Sequence, residues 1–264
     1  MLKNSILFLI SVLLISCATV PITGRKQLAV VPNSQIIPMS FDNYTQVLKE
    51  SKLSTNAEQT ASIKRVGAKI KGAVEKYMAD NNLSSSLDGY NWEFNLIESE
   101  QVNAWCMPGG KVAFYTGILP ICKDETGIAV VMGHEVAHAI ASHGRERMSQ
   151  GLVQQLGGIA LSEAIKTKPQ ETQALFHTAY AVGSQYGALL PYSRLHETEA
   201  DKLGLIFMAM AGYNPEEAPK LWERMKALSG GQSVPQFMST HPSNDTRIKE
   251  LTQYMPEALK YYKK

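Results

Sequence analysis

The stretch "DETGIAVVMGHEVAHAIASHG" constrains this chain more than any other, because it sets two histidines and a glutamate on one helical period. In an α-helix His134 and His138, four residues apart, project from the same face. Two imidazoles so placed can converge on one metal ion, with Zn–N bonds of about 2.0–2.1 Å. Glu135 stands one position round, beside such an ion and not bound to it. There it can take a proton from a water that attacks a carbonyl. A catalytic zinc needs three protein ligands and an open position, so the fold must bring a second element to this helix. "SRLHETEADKLG" offers Glu197 as the third ligand, with Asp201 four residues on, on the same face, to orient a ligand histidine. Glu199 is the rival ligand, but two residues from Glu197 it lies on another helix face.

Around these motifs the chain divides unevenly. Residues 17–40 are rich in Pro, Ser and Thr and are expected to form a tether with short extended pieces, ahead of a catalytic domain over 41–264. From Phe41 to Asn81 the pattern is helical, with Ile63, Val66, Ile70 and Val74 on one apolar face. "YNWEFNLIES" and "KVAFYTGIL" are expected to be strands bracketing the turn "MPGG". From Asp124 onward almost everything is expected to be helical, with a break at "KTKPQ" and a last helix beginning near Ser243 or Asn244. "SQGLVQQLGGIALSEAI" resembles a membrane span, but its Gln, Ser and Glu residues and short apolar runs argue against crossing. "LIFMAMAG" is expected to be core packing for the ligand helix. His143, about 140° round from His138, is expected at the surface or at a cap, and His177 and His196 away from the metal.

The first sixteen residues are of a different kind. "MLKNSILFLISVLLISC" carries one lysine and then an apolar run from Ile6 to Ile15, about half the roughly 20 residues that cross a bilayer, as in a secretory signal. "LISC" resembles a bacterial lipobox, which implies removal of 1–16 and a lipid anchor on Cys17; the alternative is a plain signal peptide cut nearby. Ala18 after that cysteine resembles an outer-membrane sorting signal, so the expected location is the bacterial cell envelope, at the outer membrane facing the periplasm. Cys106 and Cys122 are then either a disulfide or two buried thiols, which spacing alone leaves open. A net charge of +2, with Lys and Arg scattered and no basic stripe interleaved with aromatics, excludes nucleic acid as a partner.

"HEVAH", followed 59 residues after His138 by "ETEAD", resembles the HExxH and ExxxD pair of the HtpX and CAAX prenyl protease family of gluzincin metallopeptidases. More narrowly, with "PITGRKQL", "NAWCMPGGKVAFYTGIL" and "STHPSNDTRI", it is similar to the soluble branch of BepA-like and Oma-like proteins. The resemblance implies an α+β, predominantly helical, zincin-type domain with a small sheet whose edge strand flanks the cleft. It implies one zinc per chain on His134, His138 and Glu197, with Glu135 as general base and acid, and Asp201 and Arg247 behind the ligands. It implies that Gly110, Lys111, Val112, Ala113 and Phe114 form the edge strand that holds an extended peptide, a use physics allows for any unpaired edge. His241 would either stabilise the negative charge of the reacting carbonyl oxygen or cap the zinc in a latent state; the first role is preferred, since an imidazole suits developing negative charge. The function so implied is endopeptidase action on misfolded or misassembled envelope proteins, with a chaperone of little proteolytic activity as the alternative. Oligomeric state is left open.

Overall fold

The structure, a computed structural model, describes residues 17–21, 23–185, 190–228, 235–242 and 245–263. The signal-like segment 1–16 and the expected helix start at Ser243 or Asn244 lie outside the described residues. In chain order the elements are β1 (Cys17–Thr19), β2 (Lys26–Leu28), α1 (Asn33–Glu50), α2 (Ala57–Asp80), β3 (Glu93–Ile97), β4 (Ala104–Met107) and β5 (Lys111–Tyr115). They continue with α3 (Leu119–Cys122), α4 (Glu125–Ile140), α5 (His143–Ile165), α6 (Gln170–Ser184), α7 (Leu190–Met210), α8 (Glu217–Leu228), α9 (Gln236–Thr240) and α10 (Asp245–Leu259). This is the predominantly helical α+β class expected, with two small sheets.

The chain forms two compact units. The larger holds residues 34–141 and 197–264. Its α2 starts at a side-chain cap, where Asn56 accepts a hydrogen bond from the Gln59 N–H, and buries Ile63, Val66, Ile70 and Val74, the face its spacing predicts. The helical region expected over 41–81 is in fact two helices, and the first begins at Asn33, inside the Pro- and Ser-rich stretch. Three strands follow in the order β3-β5-β4, with β3 parallel and β4 antiparallel to β5. The β4–β5 turn passes through Gly109 and Gly110 at φ +85 and +84, a left-handed conformation that side chains disfavour. The order corrects one expectation. Gly110 to Phe114 do not form the edge strand, because β5 is the centre of the sheet, paired on both sides. The edge beside the metal-site helix is β4, which packs on α4.

Asp124 caps α4 by accepting from the Thr126 and Gly127 N–H groups. From Gly127 to Ile140 every residue of α4 is buried, so this helix is the core of the unit, not an amphipathic cover. The run Leu205 to Ala209 on α7 is buried as well, the packing role expected of it.

The smaller unit comprises the residues up to Asn33 together with 142–196. β1 and β2 form an antiparallel pair, and the Val30 N–H donates to Ser149 Oγ on α5. Arg25, in the "PITGRKQL" stretch, reaches Glu146 with both guanidinium nitrogens at 3.1 and 2.7 Å. His196 Nε2 lies 2.8 Å from the same carboxylate, and the His143 ring stacks on His196 with centroids 4.2 Å apart. Burial raises the Glu146 pKa, but the partners His196 and Arg25 outweigh it and bring the group down to about 2. His143 is therefore fully buried, not at the surface: its stacking on His196 decides its place.

Candidate metal centre

Glycine makes the centre possible. α4 and α7 cross backbone to backbone at Gly133 and Gly204, where a Cβ on either would lie 2.8–2.9 Å from main-chain atoms of the other helix. That close crossing puts His134 and His138 of α4 opposite Glu197 and Asp201 of α7. The spacing of the two motifs in sequence signals their pairing, but nothing in the sequence marks the glycines one residue before His134 and three after Asp201 as a crossing point. A methyl group at Gly204 has only backbone to push against, so Gly204→Ala should cost about 1–3 kcal/mol by overpacking and weaken zinc retention along with it. Thermal unfolding and chelator competition measure the pair of effects; a variant as stable and as tight as wild type would contradict the crossing.

Among the described residues, His134, His138, Glu197 and His241 are the one group of metal-type donors that converges, all of them buried. His134 Nε2 lies 3.0 Å from His138 Nε2, 3.2 Å from His241 Nδ1 and 3.3 Å from Glu197 Oε2. Glu197 Oε1 lies 3.3 Å from His138 Nε2, and Glu197 Oε2 lies 3.0 Å from His241 Nδ1. Donors at the corners of a tetrahedron with bonds of about 2.0–2.1 Å stand roughly 3.3–3.4 Å apart. With Glu197 Oε2 as the carboxylate corner, four of the six edges of such a figure are present within 0.4 Å, and the mixed nitrogen and carboxylate set suits zinc. Glu199, His143 and His196 are buried but outside this group, and His177, half-buried, is outside it too.

Behind the donors, Asp201 Oδ1 lies 2.9 Å from His134 Nδ1. A proton held on Nδ1 leaves the Nε2 lone pair facing the other donors. Arg247 clamps Asp201 with Nε at 2.6 Å and Nη2 at 2.7 Å, lies 3.1 Å from Glu197 through Nη1, and packs 3.5 Å over the Trp222 ring. Burial opposes both carboxylates, yet the cations around them win: Glu197 is held well below the usual range by His138, His134 and His241, and Asp201 is lowered by Arg247 and His134. Glu135 is buried, with Oε1 3.5 Å from His241 Nε2, so His241 faces the metal donors through one nitrogen and Glu135 through the other.

Burial and the Arg247 charge push the His134 pKa down, but its bonds to Asp201 and Glu197 outweigh them and raise it to about 9. A ligand imidazole must be neutral at the metal-binding nitrogen, so zinc and this proton compete. Zinc uptake by metal-free protein at pH 7 should therefore release about one proton from His134, and progressively less as the pH rises past 9. Calorimetry in buffers of different ionisation enthalpy reads this directly. Release that stays constant from pH 7 to 10 would contradict it.

Cys106 and Cys122 are both free thiols, Cys122 buried and Cys106 partly so. Burial, and after it the charge of Glu135, holds the Cys106 thiol well above its ordinary pKa, away from the reactive thiolate form.

Residues 65–255 match peptidase family M48, and the chain belongs to this family of zinc metallopeptidases. It is 33% identical over 244 residues to the mitochondrial metalloendopeptidase OMA1 of Schizosaccharomyces pombe, covering 90% of this chain and 66% of that protein. It is 30% identical over 245 residues to the mitochondrial metalloendopeptidase OMA1 of Homo sapiens, covering 91% of this chain and 46% of that one. To the beta-barrel assembly-enhancing protease of Escherichia coli it is 26% identical over 167 residues, covering 60% of this chain and 33% of the relative. The chain thus spans between a third and two thirds of these relatives' lengths. The similarity to Oma-like proteins holds over nine-tenths of the chain and that to BepA-like proteins over less. It also overturns the expected location: relatives from fungi, plants and animals that align with this chain are mitochondrial, not outer-membrane lipoproteins of bacteria.

Proposed function

We propose that the chain is an endopeptidase that uses one zinc ion held by His134, His138 and Glu197 to hydrolyse peptide bonds in extended segments of misfolded or misassembled proteins. The observation that carries this reading is the converging, buried donor set with Glu135 beside it and a strand edge alongside. When bound, zinc polarises the scissile carbonyl and lowers the pKa of water toward about 7. Glu135 takes the proton of the attacking water and hands it to the leaving amine. Asp201 and Arg247 keep His134 in the tautomer that presents Nε2, and burial of the whole group keeps these contacts strong.

The substrate main chain lies along β4. The Tyr115 N–H donates to Asn103 O, which makes Asn103 and Tyr115 a hydrogen-bonded pair. By antiparallel alternation the backbone groups of Trp105 and Met107 also face β5, and those of Cys106 face outward. An extended peptide added there gains main-chain bonds without regard to its side chains, as a broad substrate range requires.

His241 is better read as a resting fourth donor than as a stabiliser of the carbonyl oxygen, because its Nδ1 sits where a tetrahedral ligand would. A site closed in this way also favours the second reading, a client-holding protein that cuts rarely. Digesting protein extracts with zinc-loaded and metal-stripped protein, then mapping new termini, tests the endopeptidase reading. Internal termini that require zinc are expected; none, or termini confined to chain ends, would reject it. Attachment to a membrane through a lipid on Cys17 is a separate part of the proposal, supported by "LISC" alone. A Cys17→Ala protein that stays as firmly in the membrane fraction as wild type would remove it.

A further inference from the structure

The helical hairpin of the smaller unit has its polarity reversed. Eight of the thirteen large apolar side chains that are exposed among the described residues lie on α5 and α6, including Leu152, Leu156, Ile159, Leu175 and Phe176. Between the two helices the contacts are polar instead. Tyr180 Oη donates to Gln154 O at 2.8 Å, Gln154 Nε2 donates to Ser184 Oγ at 2.7 Å, and Ser162 Oγ lies 3.4 Å from His177 Nε2. Gly157 admits the Tyr180 ring, for a methyl group there would collide with its hydroxyl. Small residues and side-chain hydrogen bonds inside, with aliphatics outside, is the arrangement of helices packed in lipid and the opposite of helices packed in water.

Charge placement agrees. No Asp, Glu, Lys or Arg occurs from Met148 to Ser162 or from Thr172 to Gln185, although most of these positions are exposed. Charges resume at both ends of the stems: Arg145 and Arg147 at one, and Glu163, Lys166, Lys168 and Glu171 around the connection. The uncharged part of α5 is 15 residues, roughly 22 Å of helix, against a hydrocarbon core of about 30 Å. No helix among the described residues is long and apolar enough to cross a membrane. A hairpin lying in the plane of the interface satisfies all of this, since both charged ends stay at headgroup depth while the stems sink roughly 5–10 Å.

We propose that the α5–α6 hairpin is a membrane-interface element, its uncharged stems immersed at the boundary between headgroups and acyl chains of a lipid bilayer. A second copy of the chain is the less suitable occupant. Neighbouring residues Leu152 and Val153, and Leu175 and Phe176, are about 100° apart on their helices and all exposed, so the apolar arc is broader than one helix seam covers. Residues 1–16, which lie outside the described residues, carry the apolar run Ile6–Ile15 and run into Cys17, which belongs to this same unit. The inference does not rest on lipidation of Cys17 or on the endopeptidase reading.

The test uses the full chain with Cys17→Ala, so that no lipid is attached, and vesicles of phosphatidylcholine with and without phosphatidylglycerol. Leu152→Gln, Leu156→Gln and Ile159→Gln together should lower vesicle partitioning at least about tenfold, and Met39→Gln, at an exposed apolar position in the other unit, should not. Because residues 1–16 are present in every arm, depth is read at the hairpin itself. Ile159→Trp should show fluorescence that shifts to the blue and is quenched by lipids brominated along the acyl chain, measured as the difference from the same protein without this substitution. Partitioning unchanged by the triple substitution, or a difference signal from Ile159→Trp that vesicles leave unaltered, would overturn the proposal. So would a dimer in sedimentation without vesicles that the triple substitution dissociates.

Discussion

Glu135→Gln should abolish peptide-bond hydrolysis while leaving zinc content and thermal unfolding close to wild type. The amide keeps the size of the side chain and cannot accept the proton, and loss of a general base costs about 10²–10⁴-fold in turnover. Glu135 is outside the donor group, so its removal leaves the edges among His134, His138, Glu197 and His241 as they are. Glu135 is buried, so a smaller or apolar replacement would confound chemistry with packing; glutamine avoids that. Steady-state cleavage of casein beside metal analysis of the same preparation checks both halves. A variant that cleaves as fast as wild type ends the proposed mechanism. One that no longer cleaves but still suppresses aggregation of unfolded clients would show that holding and cutting are separable.

His241→Ala should raise proteolysis, including self-cleavage. The ring joins the donor set through Nδ1 and faces Glu135 through Nε2, so as it stands it fills the place where a substrate carbonyl and a water must come together. If the ring leaves that place in about 1–10% of molecules, its removal frees the rest and activity rises roughly 10- to 100-fold. The proposed ligand set His134, His138 and Glu197 stays whole, so zinc affinity falls less than in a variant of any one of those three. A drop of about 10²–10³-fold would instead assign His241 to the developing negative charge of the carbonyl oxygen, the role preferred from sequence. Unchanged activity would exclude both. Phe237 packs 4.8 Å from the His241 ring and stacks on Trp222, so a partial rise in Phe237→Ala would show that this aromatic support helps hold the ring in place.

Much of the centre was legible because helix geometry converts spacing into direction. Four-residue separations put His134 with His138, and Glu197 with Asp201, on single helix faces. What spacing could not carry is the close crossing at Gly133 and Gly204, since a glycine in a helix reads as a weakness until the backbone that approaches it is known. Strand order was missed for a similar reason. The residues of β5 alternate and branch as strand residues do, but whether a strand is central or at an edge depends on partners elsewhere in the chain. β4 is four residues long and contains Trp, Cys and Met, too short for a period to show. α4 is buried all round, so its pattern marks a helix without marking a face. Arg25 and Glu146 are 121 residues apart, and neither position alone signals a buried ion pair. The location expected from "LISC" failed for a different reason: a four-residue processing signal says nothing that a comparison over nine-tenths of the chain cannot override.

In the mechanism proposed, Glu197, on a helix remote in sequence from the two histidines, completes the zinc site. Metal analysis of the purified protein and of Glu197→Ala and Glu199→Ala, each dialysed against the same chelator, tests it most directly. About one zinc per chain is expected in wild type and in Glu199→Ala, and much less in Glu197→Ala, because the ion then loses its one carboxylate and keeps only His134, His138 and the displaceable ring of His241. Zinc retained in Glu197→Ala and lost in Glu199→Ala would contradict the account.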